Sequence, residues 1–135
     1  MAVTLLFQLV SPERLLVETQ VTEVQVPARD GYIGVLPGHA PLLSELKAGG
    51  VLTYEEAGTT KVLAVFGGFV EVLPDRVRVL ADWAERKEEI DVAAAQRELT
   101  EATKEVDSIM SGAIDSEVAL NDAMRAQAKV DAAKA

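Results

Sequence analysis

Between Trp83 and Ile90 the sequence changes texture so abruptly that no single repeating element accounts for both sides. Upstream, apolar residues alternate or form short β-branched runs. Turn formers recur every eight to twelve residues: Ser11-Pro12, Asp30-Gly31, Pro37-Gly38, Gly49-Gly50, Gly58 and Pro74-Asp75. VTEVQV at 21–26, LTYEE at 52–56, KVLAVFGGFVEVL at 61–73 and RVRVLA at 76–81 read as strands. Strands this short and this closely punctuated predict an antiparallel β-sandwich or flattened barrel. Gly67-Gly68, inside the strongest strand, marks either a bulge or a close approach of another backbone.

From Ile90 onward there is no proline, one glycine (Gly112), and a crowd of Ala, Glu and Lys. Asp91 is the expected N-cap of a helix running to about Ser108, with an apolar stripe of Ala95, Leu99, Ala102 and Val106. Ser111-Gly112 interrupts the pattern, and a second helix follows with the stripe Ala119, Ala123, Ala126 and Val130. Two such stripes joined by a short link predict an antiparallel helical hairpin. The expected fold is therefore α+β: a β-sandwich domain over residues 1–84, then a linker and α-helical hairpin over 85–135. Trp83, at the junction, is expected to pack one part against the other, and Glu85 to Glu89 to form a solvated linker. Alanine allows close helix approach but buries little area, at about 0.8 kcal/mol per methylene-sized group. The hairpin is thus expected to dock reversibly.

Bulk properties exclude several functions. The net charge of −9 opposes a sequence-independent grip on nucleic acid or anionic lipid. The absence of cysteine removes disulfides, thiolate catalysis and thiolate metal sites. No apolar window is long enough to span a bilayer. The opening MAVTLLFQLVSPER lacks a basic leader and a cleavage site, so a soluble, intracellular protein is expected. Apolar residues form 49% of the chain but aromatics only 4%, so the core must be built from Val, Leu and Ala.

The single histidine, His39, lies in the loop GYIGVLPGHAPLL at 31–43. Catalysis there would need a nucleophile and an orienting carboxylate. Ser44 and Asp30 are nearest in sequence, but neither stands in a nucleophile-elbow context. One histidine does not make a metal site. Gly31 and Gly38 are explained instead as the positive-φ positions of the Asp30-Gly31 and Pro37-Gly38 turns. The residues read alone describe an interaction module, with no catalytic and no metal residues assigned.

The loop GYIGVLPGHAPLL, followed by LKAGGVL, resembles the signature of the epsilon subunit of F-type ATP synthases. FGGFVEVLPDRVRVLADWAER resembles the same family's two strands leading into its helices, and the resemblance runs the length of the chain. It implies a non-catalytic rotor subunit of the central stalk, similar also to the mitochondrial delta subunit. Such a subunit binds gamma, sits on the c-ring and passes proton-driven rotation to the alpha/beta catalytic head. The implied positions are Asp30, Gly31 and Tyr32 facing the c-ring, and Ser11 and His39 facing gamma. The hairpin would be regulatory, lying on the sandwich when folded and obstructing ATP hydrolysis when extended. Each helix would be about 27 Å long, so an opened tail would reach roughly 50 Å. The resemblance also implies a peripheral location on the cytoplasmic face of a bacterial inner membrane, or a plastid-type setting.

Two departures temper what the resemblance implies. Residues 111–135 carry Arg125, Lys129 and Lys134 against Asp115, Glu117, Asp122 and Asp131, so attraction to an acidic segment of the catalytic subunit is expected to be weak. The ATP motif of some members, Ile/Leu-Asp-x-x-Arg-Ala, reads here Ile90-Asp91-Val92-Ala93-Ala94-Ala95, with Ala94 in place of the arginine. A weak ATP site at Ile90, Asp91 and Arg97 is the most it implies, and no cofactor is expected. The competing readings are a free-standing adaptor built from the same sandwich and hairpin, and a small hydrolase using His39.

Overall fold

In a computed structural model, residues 3–109 and 116–135 are described. The chain forms β1 (Leu5–Val10), β2 (Leu15–Val21), β3 (Glu23–Ala28), β4 (Gly31–Val35), β5 (Leu42–Glu45), β6 (Gly50–Glu56), β7 (Thr59–Leu73) and β8 (Arg76–Arg86). A 3-10 turn (Lys87–Glu89) leads to α1 (Val92–Ile109) and α2 (Ser116–Lys134). The expected break at Ser111-Gly112 lies outside the described residues.

The strands form one open sheet in the order β2-β1-β8-β7-β6-β3-β4, with β5 added on β7. All pairings are antiparallel except β1 with β8, which is parallel. The long strand β7 makes two layers possible by changing partner. Its first half pairs with β6, from Glu56↔Thr59 to Gly50↔Val65, and its second half with β5, from Glu45↔Phe69 to Leu42↔Val72.

Gly67 and Gly68 occupy the changeover, with φ of 62° and 110°. The β7–β8 register continues unbroken across them, Phe66 opposite Trp83 and Gly68 opposite Ala81, so no residue is inserted and the bulge reading is wrong. The close approach is real: a Cβ on Gly68 would stand 1.9 Å from the Leu80 carbonyl oxygen.

The inward positions of the alternating strands fill the core. Leu5, Phe7 and Leu9 of β1 meet Val24 and Val26 of β3, Leu52 of β6, Val70 and Val72 of β7, and Val77 and Val79 of β8. As expected, the interior is aliphatic, and Phe7 with Tyr54 makes its aromatic contact at 5.0 Å between ring centroids. Each fully buried Val or Leu contributes about 1.5–3 kcal/mol relative to exposure.

The stretch expected as a solvated linker begins inside β8, which runs to Arg86. Glu89 then accepts from both Arg14 and Arg86, each at 3.0 Å, and Arg86 also donates to the Leu16 carbonyl. This ties the helix entrance to β2 rather than leaving it slack.

Asp91 caps α1 as its position predicts, its Oδ1 accepting the Ala94 amide at 3.1 Å. Ala95 and Ala102 of the expected stripe are buried, and so are Ala119, Ala126 and Val130 of α2. The second helix departs from a single stripe, however, because Ala128 and Ala132 are buried too, roughly 200° around the helix from Ala126 and Val130. The helix α2 is clasped on two sides, by α1 and by β6 and β7, and α1 rides on its outside. Alanine makes this possible by letting α2 approach both neighbours. At Gly49 the approach is closest: a Cβ there would lie 2.5 Å from the Met124 carbonyl oxygen.

Candidate functional site

The segment expected as one loop at Gly31–Leu43 is instead strand β4 (Gly31–Val35), which pairs with β3, then a turn over 36–41 pinned to the β7–β8 corner, and the start of β5. Gly31 and Gly38 have φ of 137° and 87°, as their turn positions predict. The Gly38 amide donates to the Pro74 carbonyl at 2.7 Å, and the His39 amide to Leu36 at 3.1 Å. Nδ1 of His39 lies 2.6 Å from the carbonyl oxygen of its own neighbour, Ala40. The Ser44 hydroxyl bonds the Glu45 carbonyl at 3.2 Å, so these two side chains are not brought together. Among the described residues no group of three metal-binding side chains forms.

At the far end of β5, Asp30 and Gly31 form the β3–β4 turn. It is held by the Arg29 amide on the Glu45 carbonyl and by an Arg29–Glu45 ion pair at 2.8 Å. The hydrogen bond to Glu45 raises the Arg29 pKa above its ordinary value. Tyr32 parts company with this turn. It is largely exposed, lies 5.7 Å beneath the Lys47 ammonium, and lines a groove shared with the helices.

Ser11 is only 7% exposed, with its amide and hydroxyl both turned to the Arg14 carbonyl. It borders a hollow of about 330 Å³ whose other walls include Pro12, Phe69 and Leu80. Phe69 and Leu80 stand directly opposite each other on β7 and β8, 49% and 48% exposed, and Leu43 extends the apolar surface onto β5. A half-exposed strip thus runs from beside Ser11 towards the strand end where the His39 loop is pinned. The sequence reasoning missed it. The signal was present, because Phe69 and Leu80 are apolar out of phase with the buried Val70, Val72, Val77 and Val79. Glu71 and Arg78 share this outward face, so Phe69 and Leu80 form an exposed apolar patch within a mixed surface.

The three nucleotide candidates do not converge. Ile90 is buried with Ala64, Phe66 and Ala95 in the second apolar cluster, and Asp91 is committed to capping. Arg97 lies with Gln96, Thr100 and Lys104 along a separate depression on α1.

Two spaces separate hairpin from sandwich. The first, about 510 Å³, has Trp83 and Asp82 on one wall and Glu101, Glu105, Asp122 and Arg125 on the helices. Trp83 stands at the junction as expected, but as the half-exposed wall of a cleft. Lys129 closes the cleft, its ammonium 3.0 Å from Glu98 of α1 and 5.8 Å from the centre of the Phe66 ring. Lys87 donates to the Ala135 carbonyl and so fastens the end of α2 to the 3-10 turn. The second space, lined in part by Tyr32, lies on the other flank of α2.

Residues 4–87 match the family described as ATP synthase, Delta/Epsilon chain, beta-sandwich domain. The chain is 52% identical over 127 residues to the ATP synthase epsilon chain of Solibacter usitatus, covering 94% of this chain and 93% of that one. Its identity to the epsilon chain of Granulibacter bethesdensis is 39% over 130 residues, covering 94% and 95%. In fold it is similar to a chain of the Euglena gracilis mitochondrial ATP synthase (OSCP/F1/c-ring), with a TM-score of 0.77 at 24% identity, covering 98% of this chain and 82% of that one.

Proposed function

Because the chain belongs to the delta/epsilon family of F-type ATP synthase subunits, we propose that it is the non-catalytic rotor subunit that couples c-ring rotation through gamma to ATP synthesis. The observation that carries this reading is the strip of Phe69, Leu80 and Leu43 lying between Ser11 and the His39 loop. In a chain of net charge −9 an exposed apolar patch of this kind, ringed by Glu45, Glu71 and Arg78, suits a protein partner. We assign it to gamma. The exposed Asp30-Gly31 turn is assigned to the polar loops of the c-ring. Tyr32 accompanies them there only when the hairpin leaves its groove.

The hairpin, folded on the sandwich here, acts as a brake when it extends towards the alpha/beta head. Its alanine-rich contacts suit a switch whose states differ by only a few kcal/mol. The near-neutral charge of residues 111–135 makes the brake weak. ATP at Ile90, Asp91 and Arg97 is at most a weak ligand, because the three do not converge on one pocket, and no other cofactor is assigned. No described helix is long and apolar enough to cross a membrane. We place the subunit peripherally on the cytoplasmic face of a bacterial inner membrane, as part of its complex.

The test is co-purification with the cognate gamma subunit. Wild-type chain should form a stoichiometric complex, and Phe69→Glu with Leu80→Glu should abolish it while the monomer stays folded. Absence of a complex with wild-type chain would favour the free-standing adaptor. Loss of a hydrolytic activity on His39→Ala would favour the hydrolase.

A further inference from the structure

The groove on the Tyr32 side of α2 has a volume of about 580 Å³, within the range of small-ligand sites. Val106 of α1, Leu120 and Met124 of α2, and Val51 of β6 make most of it apolar. The docked hairpin leaves this surface open, with Leu120 49% and Met124 37% exposed.

The lining of the groove carries one cation, Lys47. The Lys47 amide donates to the Pro27 carbonyl at 3.0 Å, and its carbonyl accepts the Gly67 amide at 2.9 Å, so its backbone is rigidly held. Among the described residues Lys47, like several other cations of the chain, has no carboxylate within ion-pair distance, and it is the cation of this groove. The ammonium rests over the Tyr32 ring instead. Asp131, the other charged residue of the lining, lies about 10 Å along the helix from Met124 and is bonded by Gln127. A cation without a carboxylate partner in a mostly apolar groove complements a single negative charge on a hydrocarbon tail. It does not balance a triphosphate.

We propose that this groove binds a free amphipathic monocarboxylate, with its carboxylate on Lys47 and its tail along Val51, Val106, Leu120 and Met124. The walls come from α1, α2 and the sandwich, so the site exists only while the hairpin is docked. A ligand that binds one of two states raises that state's share by mass action. At ten times its dissociation constant, such a ligand raises the ratio of docked to undocked hairpin about eleven-fold. The hairpin then responds to a signal that is not a nucleotide.

The experiment is a titration of the full-length chain with decanoate, below its micelle concentration, followed by amide chemical shifts and by hydrogen exchange in α2. Saturable shifts are expected at Lys47, Val51, Leu120 and Met124, together with slower exchange in α2. Uncharged decanol should bind at least fivefold more weakly. Lys47→Gln should bring decanoate down to the decanol level, Lys47→Arg should retain binding, and Met124→Glu should weaken it. Equal binding of decanoate and decanol, unchanged binding in Lys47→Gln, shifts elsewhere, or no saturation would each overturn the proposal. The measurement is on the isolated chain, so its failure leaves the assignment to the rotor untouched.

Discussion

Gly49 and Met124 meet backbone to backbone: the position a Cβ would occupy on Gly49 is 2.5 Å from the Met124 carbonyl oxygen and 2.7 Å from Cα of Arg125. A strand entrance and the middle of α2 therefore touch where neither can yield by turning a side chain. Elsewhere the hairpin is held mostly by small and aliphatic residues, by Lys129 on Glu98, and by Lys87 on the Ala135 carbonyl. The dock is consequently sensitive to one methyl group at Gly49.

Gly49→Ala should loosen the dock by about 1–3 kcal/mol, the usual range for overpacking, without unfolding the sandwich. Hydrogen exchange would show α2 amides losing protection while those of β7 and β8 keep theirs. Equal loss in both would mean that the glycine supports the sandwich itself.

The two glycines of β7 should differ in sensitivity. A Cβ on Gly68 meets the Leu80 backbone, whereas on Gly67 it meets the Asp82 carboxylate, which can swing away. Gly68→Ala is expected to cost about 2–4 kcal/mol, from strain and overpacking together. Gly67→Ala should cost only about 1–2 kcal/mol, the price of a non-glycine residue in the left-handed region. Urea midpoints of the two variants check the order.

Hydrogen bonds from Arg14 and Arg86 hold the Glu89 pKa below its ordinary value near 4.5. A carboxylate depressed in the folded state contributes stability above its unfolded pKa and loses it as pH falls through the folded one. Glu89→Gln should therefore be less stable than wild type near neutrality. The gap should narrow below about pH 4.5 and close under the depressed value. Thermal unfolding from pH 7 to pH 3 reads this, and a constant gap would mean the ion pairs are inert.

Truncation after Glu89 should leave gamma binding intact, because the proposed contact strip lies on β5, β7 and β8. In the assembled complex it should raise ATP hydrolysis only modestly. A several-fold rise would show that the charge of the second helix is a poor guide to braking.

Much of the fold was legible because its signals are local. The Asp91 cap, the positive-φ turns at Gly31 and Gly38, and the period-two burial of Leu5, Phe7 and Leu9 depend on residues a few positions apart. So does the change from strand to helix after β8. The loop's resemblance pointed to the family to which the chain belongs. The contact strip was half legible, since Phe69 and Leu80 are visibly out of phase with the buried valines. That they face each other depends on register, which is fixed by a hairpin as a whole.

The sequence by itself determined the β7–β8 hairpin, most turns and both helices, though not β4 or the break between β2 and β3 at Thr22, because alternation, capping and left-handed glycines act within a turn or two of chain. Only the tertiary structure decided that β1 runs parallel to β8, that β7 changes partner at Gly67, and that α2 is buried on two sides. These choices join residues far apart along the chain. The free energy that selects among them comes from burying whole faces against one another, and no local stretch encodes which face it will meet.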